Sequence, residues 1–268
     1  MKIGLIGQGA IAQYVSERLA AEGHPVTAYL LRPERAREMR AAHGGLKGVG
    51  PVFVSSVAEL PADLDLVVDC AGHQALREYG AGILQAGFDL TTVSLGALAD
   101  PAFEQELRSA AAEAGTRLFL ASGAIGALDA LRAARIGALQ RVRYIGRKPP
   151  EGWSGSPAED QLDLSALNGL PATHFTGTAR EAALSFPKNA NVAAAVALAG
   201  IGFDRTEVEL IADPTISANI HEIHAEGAFG QLEFRIAGKP LPGSPRSSAL
   251  AAMSVVDTVL QYPSPIQF

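Results

Sequence analysis

Four groups of residues in this chain have the types and spacing to do chemistry. The first is Gly7-Gln8-Gly9-Ala10-Ile11-Ala12, which follows the apolar run Ile3 to Ile6 and heads a helical pattern reaching Leu19. In a strand–turn–helix opening, Gly7 permits the tight turn and Gly9 lets the backbone approach a pyrophosphate, while Ala12 is small enough for close helix packing. Ala10 and Ile11 stand at the helix N-terminus, whose unpaired N–H groups and positive dipole end favour phosphate. The second group is Cys70-Ala71, at the end of the apolar run Leu64 to Asp69. It reads either as small side chains lining a nucleotide crevice or as a thiol nucleophile. The third is Lys188-Asn189, after Phe186-Pro187 and before an Ala-rich helix. Asn189 caps that helix, or it holds a carboxamide or carboxylate with Lys188 supplying charge. The fourth is His221, within Asn219-Ile220-His221-Glu222-Ile223. An imidazole titrates near neutrality and suits a single proton transfer, although a lone strand histidine also serves as a core residue.

Other chemistries find no support. His221 and His224 lack cysteine partners and the spacing of a metalloprotease helix, so no metal site is expected. No serine nucleophile elbow occurs. Hydride transfer to a nicotinamide needs neither, because the cofactor carries the hard chemistry. The end of the second strand bears on which nicotinamide cofactor, NAD or NADP. Where an acid would bond the ribose 2′-hydroxyl, the chain has Leu31-Arg32, and Arg35 and Arg37 follow. Arg32, with one of these behind it, suits a 2′-phosphate, so NADP acceptance alongside NAD is the expectation. The same arginines also read as the solvated face of a helix over 33–42.

The elements that must position these groups follow from hydrophobic pattern. Of the 268 residues, 48% are apolar and 19% charged, enough to bury a sizeable core. Short apolar runs at 3–6, 25–31, 51–54, 64–69, 88–94 and 117–121 alternate with helical stretches, the pattern of a Rossmann-type doubly wound parallel sheet. A second glycine-rich turn, Ser122-Gly123-Ala124-Ile125-Gly126-Ala127, closes this region. From about Arg141 the strands alternate in character, with hairpin-like spacing, which predicts a second α+β domain on a mostly antiparallel sheet. The expected division is a dinucleotide-binding domain at 1–121, a catalytic domain at 122–245, and a C-terminal helix at 246–268 packing back on the first. Pro149 to Pro157 reads as a turn-rich surface loop and a candidate lid. The net charge of −6 without a basic block argues against nucleic acid. The single cysteine suits a reducing compartment. The chain opens directly on a core strand and has no apolar run long enough to span a bilayer. A cytoplasmic protein acting on a small molecule, without membrane attachment, is expected.

Taken together, GQGAIA (7–12), DCAGH (69–73), VSLGAL (93–98), SGAIGALDAL (122–131), GRKP (146–149), GTAREAA (177–183), FPKNANVAA (186–194), ADP (212–214) and NIHEI (219–223) resemble the L-aspartate dehydrogenases over essentially the whole chain. The resemblance implies NAD(P)-dependent oxidation of L-aspartate to iminoaspartate by a homodimer. It implies that His221 is the catalytic histidine and that Ala124 and Asn189 contact the cofactor. The substrate carboxylates then fall to Lys188, Asn189 or the backbone near Ser122 to Ile125. Two rival readings stand beside it: a semialdehyde dehydrogenase using Cys70, and a non-catalytic NAD(P)-binding sensor.

Overall fold

A computed structural model describes residues 1–43, 50–187 and 190–266. The chain divides into two compact units. The first comprises Met1–Ser94, Pro101–Ala121 and Ala252–Phe268, and the second Leu95–Asp100 and Ser122–Ala251.

The first unit is built on six short strands: β1 (Ile3–Ile6), β2 (Val26–Leu30), β3 (Val52–Val54), β4 (Leu66–Asp69), β5 (Leu90–Thr92) and β6 (Leu118–Leu120). They form one sheet of order β3-β2-β1-β4-β5-β6, and every pairing is parallel. Its helices are α1 (Ala10–Ala21), α2 (Pro33–His43), α3 (His73–Gln85) and α4 (Pro101–Ala114). The two central strands are fully apolar but for Asp69, as strands covered on both faces must be. Ile3, Leu5, Leu66 and Val68 pack with Ala12, Val15 and Leu19 of α1 and with Val255, Val256 and Val259 near the C-terminus. The strand order reverses between β1 and β4, so the carboxyl ends of these two strands mark the crevice where such sheets take their ligands.

In the second unit, α5 (Leu128–Ile136), α6 (Ala179–Ser185) and α7 (Asn191–Ala199) accompany β7 (Leu139–Lys148), β8 (Ala172–Thr178), β9 (Glu207–Ala212), β10 (Asn219–Gly227) and β11 (Gly230–Gly238). The sheet order is β11-β10-β7-β9-β8, antiparallel except for the β7–β9 pair. A small hairpin, β12 (Pro240–Leu241) with β13 (Ser244–Ser248), leads into α8 (Ala249–Gln261). The expected α/β plus α+β fold class is what the structure has.

Two details differ from the sequence reading. Leu95–Asp100 was expected within the first domain but belongs to the second unit. The reason is local: the Asn191 side-chain oxygen accepts from Gly96 N at 2.9 Å, and the Arg180 guanidinium reaches Ala99 O. The second unit also runs on to Ala251 rather than ending at 245. The loop at 149–157 has one feature beyond the sequence reading. Trp153 sits in a short 3-10 turn, is fully buried, and donates its indole N–H to Ile211 O at 3.0 Å. Glu151, Gly152, Ser154, Gly155 and Pro157 are exposed, as expected of a surface loop, but the buried, hydrogen-bonded tryptophan anchors the segment.

Candidate functional site

The carboxyl ends of β1 and β4 frame a pocket of about 400 Å³ lined by Gly7, Gln8, Gly9, Leu31, Arg32, Arg35, Cys70, Ala71 and Tyr79, among others. Two glycines shape its floor. Gly7 has φ +94°, and a Cβ there would lie 2.9 Å from that of Ala71, so the two loops close on each other only because Gly7 has no side chain. Gly9 precedes α1 without a side-chain cap, and a Cβ on it would meet nothing within 4 Å. That open approach to an uncapped helix start fits a pyrophosphate, so the residues present suit a dinucleotide. Ala10 and Ile11 form the first turn of α1 beside it.

Asp69 fixes the opposite wall. It is buried at the end of β4, and its carboxylate accepts from Thr92 Oγ1 and Ser94 Oγ, both at 2.7 Å, and from Ala71 N at 2.9 Å. Burial nevertheless raises its pKa above the usual carboxylate range. The sequence reading passed over Asp69, although a carboxylate closing an all-apolar strand is a visible signal. Cys70 is half-buried in the same pocket. Burial, with the charge of Asp69 behind it, pushes its thiol well up. It therefore stays a thiol at neutral pH and is a poor nucleophile, which weighs against the semialdehyde dehydrogenase reading. Arg32 is exposed at the pocket edge, and Arg35 Nε donates to Gln8 Oε1 at 2.8 Å while pairing with Glu38.

The second unit holds a different cluster. Along β7, Tyr144, Gly146 and Lys148 share one face, and His221 on β10 lies opposite Gly146. The His221 Nδ1 stands 2.7 Å from the Tyr144 hydroxyl, the rings nearly parallel at 18°. Both side chains are buried. Gly146 makes this contact possible, since a Cβ there would lie 2.7 Å from the Tyr144 oxygen. Lys148 places its ammonium 4.7 Å from the Trp153 ring centroid, a cation–π contact. His174, from the irregular start of β8, packs edge-on against Trp153 with ring centroids 4.3 Å apart. Neither of its ring nitrogens has a hydrogen-bond partner among the described residues.

Electrostatics tie these groups together. Burial lowers Lys148 to about 8. Burial first, and the positive charge of Lys148 second, lower both His221 and His174 to about 4. Both imidazoles are therefore neutral at physiological pH, and a partly desolvated ammonium stands near them. Two histidines and a lysine perturbed by shared surroundings are the pattern of a functional site.

Of the residues singled out in the sequence, Gly7, Gly9, Arg32, Cys70 and Ala71 come together around the first pocket. Ser122 and Ala124 lie half-buried on the segment preceding α5, in the second unit. Lys188 and Asn189 fall outside the described residues. Tyr144, Lys148, Trp153 and His174 were missed. GRKP (146–149) was noticed as a motif, but only strand pairing shows that Lys148 and His221 belong to one face. Among the described residues no group of three metal-ligating side chains is arranged to hold an ion, and no helix is long and apolar enough to cross a membrane.

Comparison with known proteins follows the same division. Residues 129–262 match the family model for the C-terminal region of aspartate dehydrogenase, and residues 7–121 that for the NAD-binding domain of homoserine dehydrogenase. An L-aspartate dehydrogenase of Ruegeria pomeroyi is 58% identical, over 97% of this chain and 92% of its own length. One from Ralstonia nicotianae is 46% identical over 96% of this chain and 95% of its own. Among solved structures, the aspartate dehydrogenase of Thermotoga maritima matches with a TM-score of 0.75 at 28% identity, covering 100% of this chain and 99% of that one.

Proposed function

The chain belongs to the L-aspartate dehydrogenase family, and on that premise we propose that it oxidises L-aspartate reversibly to iminoaspartate with NAD(P). The imine then hydrolyses to oxaloacetate and ammonia, or feeds pyridine nucleotide synthesis. The observation that carries the reading is the buried His221–Tyr144 pair beside Lys148, within the region matching the aspartate dehydrogenase family model.

Gly7, Gly9 and the start of α1 would hold the cofactor pyrophosphate, with Ala10, Ile11, Cys70 and Ala71 around it and Arg32 toward the ribose. When bound, NAD(P) supplies the acceptor for the hydride that leaves the substrate Cα. Oxidation of an amine places positive character on Cα and nitrogen, and the resulting imine must exchange protons with its surroundings before water completes deamination. His221, neutral at working pH, is the catalytic group we assign to these polar steps. Lys148 supplies positive charge for a substrate carboxylate, and this matches a dicarboxylic substrate. Ala124 and Asn189 as further cofactor contacts, and Ser122, Lys188 and Asn189 as substrate contacts, complete the proposed site. The same reading has the enzyme act as a homodimer in the cytoplasm, which light scattering and fractionation test.

The primary test replaces His221. In H221A, kcat for L-aspartate should fall by ~10²–10⁴-fold, the usual contribution of acid–base catalysis, while NAD(P) binding stays near the wild-type value. Unchanged turnover would remove His221 from the mechanism. Turnover of aspartate semialdehyde in place of L-aspartate would overturn the assignment of substrate.

A further inference from the structure

We propose that Tyr144 is a positioning residue that fixes the tautomer of His221, holding its proton on Nε2 and leaving Nδ1 as an acceptor. The inference rests on the reading of His221 as the catalytic residue, and it decides what that imidazole can do.

The argument is one of hydrogen-bond supply. Tyr144 is 1% exposed, and among the described residues its hydroxyl has a single partner, His221 Nδ1 at 2.7 Å. Burial pushes its ionisation far up, so the phenol keeps its proton throughout the working range. His221 is neutral there and has one N–H to place on either nitrogen. If Nδ1 carried it, Nδ1–H would donate to the phenol oxygen, and the phenol proton would be left buried without an acceptor among the described residues. If Nε2 carries it, the phenol donates to Nδ1 and neither group is orphaned. An unsatisfied buried donor is costly enough to bias the equilibrium on the order of tenfold or more.

The backbone holds this arrangement in place. His221 pairs with Gly146 and Ile223 with Tyr144, so the phenol must reach diagonally along β7 to find Nδ1. It does so over the gap that Gly146 leaves. The near-parallel rings keep the hydroxyl in line with the imidazole edge.

The consequence is chemical. With Nδ1 engaged, Nε2 is the nitrogen left for substrate, and it bears hydrogen. A neutral imidazole in that state is a hydrogen-bond donor that polarises an oxygen or nitrogen of the substrate, as neutral histidine electrophiles do elsewhere. It cannot take a proton at Nε2 until the tautomer changes.

The test is the 15N spectrum of histidine-labelled enzyme at neutral pH, with His221 assigned by loss of its signals in H221N. A pyridine-like Nδ1 and a pyrrole-like Nε2 are expected. The reverse pattern overturns the proposal without reference to any variant's folding. In Y144F, which keeps the ring, the two nitrogen shifts should converge as the preference is lost. Its kcat should fall on the order of tenfold or more, with the KM for NAD(P) unchanged. Unaltered shifts in a folded Y144F would also overturn it. Normal turnover by H221A, by contrast, would remove the catalytic reading and leave the tautomer assignment standing on its spectrum.

Discussion

Gly146 and Tyr144 compete for one space: a Cβ on Gly146 would lie 2.7 Å from the Tyr144 hydroxyl oxygen and 3.2 Å from Leu210 Cδ2. The pair are two residues apart on β7, and the smaller exists so that the larger can lie across it to His221.

G146A should therefore displace the phenol from Nδ1. We expect a stability loss of ~1–3 kcal/mol from overpacking and a fall in kcat close to that of Y144F. In a double-mutant cycle, G146A/Y144F should lose less than the sum of its parts, because removing the hydroxyl removes the clash. Additive losses in urea melts and kcat would show that the two residues act independently.

Lys148 makes a second prediction. K148M should raise the KM for L-aspartate by roughly 10–100-fold, the worth of one charge-assisted hydrogen bond, with kcat much less affected. K148R should keep most of the affinity. With its pKa lowered to about 8, the wild-type lysine loses its charge as pH rises through that value, so the KM for L-aspartate should climb above pH 8. The arginine variant should show no such climb. A fall in kcat at constant KM would instead assign Lys148 to proton transfer.

The proposed contact of Arg32 with a 2′-phosphate makes a third prediction. R32A should weaken NADP binding by roughly tenfold or more, the scale of a lost phosphate contact, and leave NAD binding little changed. R35A should affect both cofactors, because Arg35 also ties α2 to Gln8 in the glycine turn. Equal losses for both cofactors in R32A would mean that Arg32 does not meet the 2′-phosphate.

The buried histidines predict acid sensitivity. The folded-state pKa values of His174 and His221 lie near 4, below the ordinary 6.5. The unfolded chain then binds more protons between these values, so stability is fully present above pH 6.5 and is lost as pH falls toward 4. Urea midpoints at pH 7.5, 6 and 5 should decline accordingly. H174F should flatten the decline and cost little at pH 7.5, since the ring nitrogens it removes have no hydrogen-bond partner among the described residues. An unchanged slope in H174F would show that His174 does not contribute.

The first sheet and its cofactor turn were legible in the order of residues alone. Apolar runs and glycines are local signals: Ile3 to Ile6 must be buried, and only glycine adopts the φ of Gly7 without strain. The strands came out shorter than the apolar runs, as with Leu90–Thr92 within 88–94, because hydrogen-bonded pairing stops before hydrophobicity does. His221 was legible as a candidate, but its catalytic role rested on the family motif, for nothing local distinguishes a catalytic strand histidine from a core one. Only the folded chain reveals the company it keeps. Tyr144 lies 77 residues away in the chain and reaches Nδ1 only because β7 and β10 pair in one register. A shift of one residue would turn Tyr144, Gly146 and Lys148 to the opposite face. The same holds for Trp153, whose burial within an otherwise exposed loop depends on the distant Ile211 O that accepts its indole N–H. Long-range register sets which side chains share a face, and burial among them sets their charge states, so neither could be read from residues taken in order.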